Sequence, residues 1–496
     1  MFTAGLAILA VAFHICQIQS SELPCTTPEC VRAAGDIISA MDLTADPCED
    51  FYRYACGSFE FHQSIPAGES KLQQFNIVDT IISKKMKAML DHLNPQINRN
   101  DYTNLPVIEK LGIFFQTCQT VSDRQSEVLK SVTEMVSDIG GFKIINDRTG
   151  MGDNDGWSVN KVLEKFSDYS MTGFFRMSVE QDEKNSSINV VKFGQDGLGL
   201  GGFSADYYLN KSINHDPTLS AYLKMLKQYA KIVAGPKARE INVLDVVRFE
   251  QRLAAIQLSQ TELQDSFKSY RMVNTSWLQK NMTFLDWKSY ITHVFTDVDI
   301  EIDDNEPVVI YGLEYFLKLD HLIRIYQRSY RGRRALQNYL VFLAIGKYAE
   351  FLGGDLEAAD HEFKTVFEGR AGAFDRWRIC LEVSNQIIGF QLGAMYSEQN
   401  LPEHEKQVAE DIITATLDEF RRRLVGAKWM DNVTVAAALK KFDTINLNVG
   451  YPEWLLNHTY LEEMYSDLEI TSDYTTNQFH AYRFTRRRQL KASRRI

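Results

Sequence analysis

The stretch Asp46-Pro47-Cys48-Glu49-Asp50-Phe51-Tyr52-Arg53-Tyr54-Ala55-Cys56-Gly57 reads as a short helix marked at both ends. Asp46 can cap it, Pro47 suits its first position, Glu49 and Asp50 lie against the positive end of its dipole, and Gly57 can close it. In one helix Cys48 and Cys56 lie roughly 12 Å apart along the axis. A disulfide needs Cα atoms about 4.4 to 6.8 Å apart, so the two cannot pair with each other there. If oxidised, each must reach a different piece of structure.

Outward from this stretch, the chain has 496 residues, 45% of them hydrophobic, enough for one large core or two to three domains. A net charge of -11 argues against a nucleic-acid partner, whose phosphates require a basic surface. Phe2 to Ile18 is apolar and is followed by Gln19-Ser20-Ser21-Glu22, the pattern of a secretory signal peptide over residues 1–20; the alternative is an uncleaved membrane anchor with the bulk extracellular. Cys16 would leave with the signal. Six cysteines would then remain in an oxidising compartment, Cys25, Cys30, Cys48, Cys56, Cys118 and Cys380, and six permit 15 connectivities. Sequons at Asn185, Asn210, Asn274, Asn281, Asn432 and Asn457 agree with a secreted glycoprotein.

Helical periodicity covers Phe75 to Leu90, Ile108 to Thr117 and Val128 to Ile139, and Asp147 to Gly156 has loop composition. Phe175, Met177 and Val179 alternate with polar residues, Asp182 to Ser186 supplies a turn, and Ile188, Val190 and Val191 resume: a β-hairpin. The glycines from Gly194 to Gly202 do not form a phosphate loop, because no helix opens directly after them and no basic residue is suitably placed. From Leu219 to Val425 the pattern is nearly all helical. Val408, Ile412, Ile413, Leu417, Phe420 and Leu424 form a stripe that predicts core packing, and Ala436, Leu439, Phe442 and Ile445 form another. Arg331-Gly332-Arg333-Arg334 reads as a solvated helix start rather than a processing site. The tail from Arg483 to Ile496 is basic and predicts an exposed helix face whose partners lie beyond the end of the chain; as a free arm it would bind anionic surfaces.

No catalytic signature emerges from the residues themselves. His361-Glu362 and His404-Glu405 each begin a His-Glu-x-x-His pattern, but Thr365 and Val408 stand where the second histidine is needed. There is no Gly-x-Ser-x-Gly elbow.

Several motifs in order nevertheless carry a resemblance. The opening stretch, Gly197-Leu198-Gly199-Leu200 with Asp206-Tyr207-Tyr208-Leu209, Tyr339-Leu340, Arg376-Trp377-Arg378-Ile379-Cys380, Trp429-Met430-Asp431 and Gly450-Tyr451-Pro452 resemble landmarks of the neprilysin and endothelin-converting enzyme family of zinc metallopeptidases. They span Cys25 to about Leu490. The resemblance implies a mainly α fold with a minor β-hairpin: the large helical region that, in the family, caps a thermolysin-like catalytic domain and limits access to peptides of modest size. It divides the chain into a leader with a small disulfide loop over 21–45, the neprilysin-like region over 46–455, and a polar, then basic, tail over 456–496.

The resemblance also implies pairing of Cys25 with Cys30 and of Cys118 with Cys380, while the cysteines matching Cys48 and Cys56 bridge to the catalytic domain. Lys71 matches an Arg that faces the peptide carboxylate, keeping the charge without the bidentate fork, with Asn76 and Asp79 at other polar positions. The departure is that the family's Asn-Ala-Tyr/Phe-Tyr segment, His-Glu-x-x-His helix and remaining zinc ligands are absent from these 496 residues. The expectation is therefore a secreted, non-catalytic capping region that binds no cofactor itself, zinc belonging to the complete enzyme, with peptides and a catalytic domain as partners. The alternative is a secreted peptide-binding decoy.

Overall fold

The computed structural model describes residues 24–97, 99, 101–145, 156–303, 305–370 and 372–491. The signal-peptide reading, most of the Asp147–Gly156 loop and the last five residues of the tail lie outside them. The chain divides into two units, one ending at Pro66 and the other beginning at Ala67.

The first unit consists of the helices Pro28–Ala40, Phe51–Cys56 and Phe59–His62, none of which has a buried residue. Here the opening stretch departs from its expected form. Asp46 accepts the Cys48 N–H at 2.8 Å, closing an Asx turn, and the helix begins only at Phe51, with Asp50 accepting the Arg53 N–H at 2.9 Å as its cap. Two acidic residues four apart compete for the capping role, and the one nearer the aromatic run wins. Cys48 consequently stands before the helix and Cys56 at its end.

The second unit is mainly helical around one continuous core. Its centre is the helix Tyr330–Ala349, in which fourteen of twenty residues are buried, among them Tyr339, Leu340, Val341 and Ile345. Its buried amides satisfy irregular backbone: Gln337 Nε2 donates to the carbonyls of Ile139 and Gly141, both at 3.0 Å, and Asn338 Nδ2 to that of Lys143 at 3.2 Å.

The alternating segment forms the hairpin β1 (Phe175–Gln181) and β2 (Asn189–Gln195), with Val179 opposite Val191. Two further strands lie inside the stretch that reads as helical, β3 (Tyr270–Asn274) and β4 (Pro307–Tyr311). The sheet order is β1-β2-β4-β3, with β4 parallel to β2 and antiparallel to β3. At five residues each, these strands are too short to interrupt a helical pattern visibly. Phe175 of β1 packs among Phe193, Phe284, Trp287, Tyr290 and Phe316, joining the sheet to the helical core.

The long helix Arg376–Asn400 is kinked at Ile388, where φ is -117° and ψ 30°. The Phe390 N–H there donates to the Tyr465 hydroxyl at 3.3 Å, a side chain inserted into the ladder.

The expected core packing of the two later stripes is overturned. The helices Glu403–Val425 and Asn432–Phe442 have no buried residue. They pack on each other, with the rings of Phe420 and Phe442 at 5.9 Å and Arg421 paired to Asp443, while Ile412 remains 64% exposed and Phe420 51%. Periodicity identifies an apolar face but not what lies opposite it.

Candidate functional site

The glycines that resemble a family landmark form a buried polar knot. The Gly199 N–H and the Tyr222 hydroxyl both donate to Glu250 Oε1 at 3.0 Å, and the Leu200 N–H donates to the Tyr208 hydroxyl at 3.1 Å. Tyr339 donates to the Gly197 carbonyl. A Cβ on Gly199 would fall 1.8 Å from the Tyr222 hydroxyl, so only glycine fits. Burial pushes the Glu250 carboxyl up to about 8, against the Tyr222 and Gly199 hydrogen bonds that favour its charged form. Glu250 is thus a largely neutral acid in the middle of the fold. These backbone amides serve the core, as the rejection of a phosphate loop requires.

The Arg376-Trp377-Arg378-Ile379-Cys380 landmark opens the kinked helix. Cys380 is bonded to Cys118, with Cα atoms 5.6 Å apart across 262 residues. Arg376 braces the bridge: its Nε donates to the Cys118 carbonyl at 3.1 Å, and its Nη1 meets Glu357 at 3.0 Å. Arg378 donates to Glu69 at 2.9 Å and Asp79 at 3.1 Å and lies over the Phe374 ring. Gly68, at φ +85°, lets the backbone pass that ring, since a Cβ would lie 2.3 Å from it.

Lys71 projects from this corner, exposed and with no ion-pair partner among the described residues. Asn76 is instead committed to the helix Gln74–Asp91, accepting the Gln73 N–H at 3.1 Å in a capping box, and Asp79 is held by Arg378. Of the three polar positions, Lys71 alone faces solvent unengaged. In the sequence Arg378 stands out only as part of the landmark; its link to the corner spans more than 290 residues and has no local signal.

In the first unit Cys25 and Cys30 are bonded, while Cys48 and Cys56 are exposed free thiols. Asn185, Asn210, Asn281, Asn432 and Asn457 are exposed. Asn274 is half-buried and uses its Oδ1 to cap the helix Thr275–Asn281, accepting the Trp277 N–H at 2.8 Å.

Both basic segments differ from expectation. Arg331 and Arg334 converge on the buried carboxylate of Asp245; Arg331 remains solvated, with 62% of its side chain exposed, while Arg334 is buried, so the helix start is solvated on one side and part of an ion cluster on the other. Burial pushes Asp245 up, but Arg331, Arg334 and Arg248 more than offset it and hold its carboxyl below the usual range. The tail folds into the helix Tyr474–Lys491, whose partners lie within the chain: Arg483 meets Asp297 at 2.8 Å and Lys491 meets Asp467 at 3.1 Å. Arg488 lies against the rings of Phe390, Tyr465 and Phe484. Over its described residues the tail is therefore a packed helix with acidic partners inside the chain rather than a free arm.

His361 has a hydroxyl neighbour in Thr365, Glu362 pairs with Lys224, and the His404-Glu405 pair is exposed. Among the described residues no three His, Cys, Asp or Glu side chains converge as a metal ion requires, and no helix is long and apolar enough to cross a membrane.

A large, mainly helical unit around a four-stranded mixed sheet carries these landmarks. The family model described as Peptidase family M13 matches residues 47–452, and the chain belongs to that family. It is similar to an endothelin-converting enzyme homolog of Locusta migratoria, 31% identical over 466 residues covering 92% of this chain and 61% of the relative. It is also similar to endothelin-converting enzyme 1 of Bos taurus, 29% identical with 97% and 61% covered. The chain thus spans about three fifths of the length of these curated relatives. Its fold matches that of the zinc metalloprotease ZMP1 of Mycobacterium tuberculosis, crystallised with an inhibitor, at a TM-score of 0.72 and 18% identity, covering 92% of this chain and 64% of the other. The family is zinc-dependent, and the described donor set does not fit that ion.

Proposed function

We propose that this chain is the substrate-capping region of a secreted, neprilysin-like zinc endopeptidase and does not hydrolyse peptides by itself. The observation that carries this reading is the exposed apolar face of the hairpin Glu403–Val425 and Asn432–Phe442. Val408, Ile412, Phe420, Val425, Val433 and Ile445 are all exposed there, and contiguous apolar surface of this kind marks a face for another protein body. A separate catalytic domain is the natural occupant in a protein that matches only part of its relatives' length. Exposed Cys48 and Cys56 are suited to bridges with that same body. The role of this part is to shape the chamber and select peptides by size. Exposed sequons support a secretory route.

The test is direct. The purified chain, supplied with zinc and a quenched-fluorescent peptide, is expected to show no turnover; cleavage abolished by a chelator would overturn the reading. Lys71, free and exposed, favours a second reading as a peptide-binding decoy. That reading predicts anisotropy-detected peptide binding by the chain alone, weakened by Lys71→Ala and by blocking the peptide's carboxylate.

A further inference from the structure

A cavity of about 300 Å³ lies under the helix Tyr474–Lys491, lined among others by Ser167, Ser170, Tyr290, Lys347, Thr485 and Arg486. Two cations meet in it. Lys347 comes from the central helix and is only partly exposed; its Nζ donates to the Ser170 carbonyl at 2.6 Å and, weakly, to that of Tyr169 at 3.5 Å. Arg486 enters from the tail helix, where its Nη2 reaches the Ser167 hydroxyl at 3.4 Å and the Val294 carbonyl at 3.3 Å. Its Nη1 is buried with no hydrogen-bond partner among the described residues.

No carboxylate lines this cavity among the described residues. The nearest acids are engaged elsewhere, Asp297 with Arg483 and Arg487 and Asp168 with His293 and Lys165. Burial pushes the Lys347 ammonium down to about 7, and Arg486 facing it adds to the effect. Burial likewise lowers Arg486 below its ordinary value, only partly offset by its neighbours. Proteins rarely leave two like charges confined together with donor hydrogens unused, because unpaired buried charge is costly. The arrangement is that of a receptor lacking its counter-ion.

We propose that this cavity binds a small doubly charged oxyanion, a sulfate or phosphate group, between Lys347 Nζ and Arg486 Nη1. Two cations without an acid call for two negative charges; the unused donor is one edge of the Arg486 guanidinium, while the Lys347 ammonium has carbonyls and the Tyr482 ring, at 4.2 Å, around it and no anion among the described residues. The ion would tie the tail helix to the central helix and to the turn before β1. This site is independent of the hairpin face on which the functional reading rests.

Sulfate is the probe of choice, because its charge is constant from pH 6 to 8.5. Facing Lys347 are Arg486 and Tyr482 from the tail helix, Tyr169 from the turn, Tyr348 on its own helix and Tyr290 across the cavity, with Asp168 and Asp297 beyond Arg486. Burial raises all of these tyrosines, so none of them changes charge in that range, and His293, on the helix Trp287–Thr296 that supplies Tyr290, is turned to Asp168 at 2.7 Å rather than to Lys347. Binding holds Lys347 protonated, so affinity should tighten as pH falls through about 7.

The experiment measures the melting temperature and calorimetric binding of the full chain in sodium sulfate against sodium chloride and sodium acetate at matched ionic strength. A sulfate-specific rise, larger at pH 6 than at pH 8.5, is expected. Lys347→Met should fold at least as well in chloride, having lost an unpaired buried charge, and should bind sulfate at least tenfold more weakly. Arg486→Lys should also weaken binding. An equal sulfate shift in wild type and Lys347→Met, no shift beyond chloride, or a larger effect of acetate would each overturn the proposal. Inorganic phosphate and a phosphate monoester, run in parallel at pH 6, show whether the site takes the free ion alone or an esterified group.

Discussion

At Glu250 a single side chain couples the interior to pH. Its carboxyl is raised to about 8 in the fold against an ordinary value near 4.5, so between those limits the folded state holds a proton that the unfolded state has released. Stability from this group is therefore greatest at the acid side and falls as pH rises, by about 1.4 kcal/mol per pH unit within the window. Glu250→Gln keeps the acceptor for Gly199 and Tyr222 and removes the titration. Urea denaturation from pH 5.5 to 8 should show a shallower alkaline loss for this variant than for wild type. At the same knot Gly199→Ala should destabilise by about 2 to 3 kcal/mol or more, because the methyl group overlaps the Tyr222 hydroxyl. The glycines could be read from the chain as a landmark and as something other than a phosphate loop. Their partner could not, since Glu250 lies 51 residues on in an ordinary helical pattern.

Among the elements, the helical hairpin and the tail helix break the expectation in opposite directions. The hairpin Glu403–Val425 and Asn432–Phe442 displays its apolar stripe to solvent, so Ile412→Lys should change the stability of this chain by no more than about 0.5 kcal/mol. The same substitution should lower self-association in sedimentation velocity if the face is an adhesive one. The helix Tyr474–Lys491 is basic over its second half yet well anchored. Burial raises the Asp297 carboxyl, but Arg483 and Arg487 more than offset this and hold it below the usual range. Asp297→Asn should cost about 1 kcal/mol, loosen this helix in hydrogen exchange, and have less effect in high salt. The two hairpin helices were recognisable from their apolar spacing, and the tail from its basicity as a helix face. Their environments were inverted relative to expectation, because hydrophobicity predicts burial only when a covering surface exists, and basicity predicts exposure only when no acid waits opposite.

Across the whole molecule, the Cys118–Cys380 bridge ties the helix Val107–Gln119 to the kinked helix Arg376–Asn400 and closes a loop of 262 residues. The chain-entropy model assigns such a loop ~5 kcal/mol of stabilisation as an upper figure. Replacing both cysteines by serine should therefore lower the urea midpoint strongly, whereas the equivalent change at Cys25 and Cys30, six residues of one exposed segment, should leave it almost unmoved. Residues near one another in the chain determined most of the element list by themselves: the helical periodicity, the hairpin at Phe175 to Gln195 and the ordered landmarks are local patterns set by side-chain spacing and turn chemistry. Only tertiary structure decided which acid meets which base, where β3 and β4 join the sheet, and that Lys347 and Arg486 share a cavity. Those outcomes depend on contacts between residues far apart in the chain, whose energies are set by burial and by the partner across the gap rather than by neighbours in sequence.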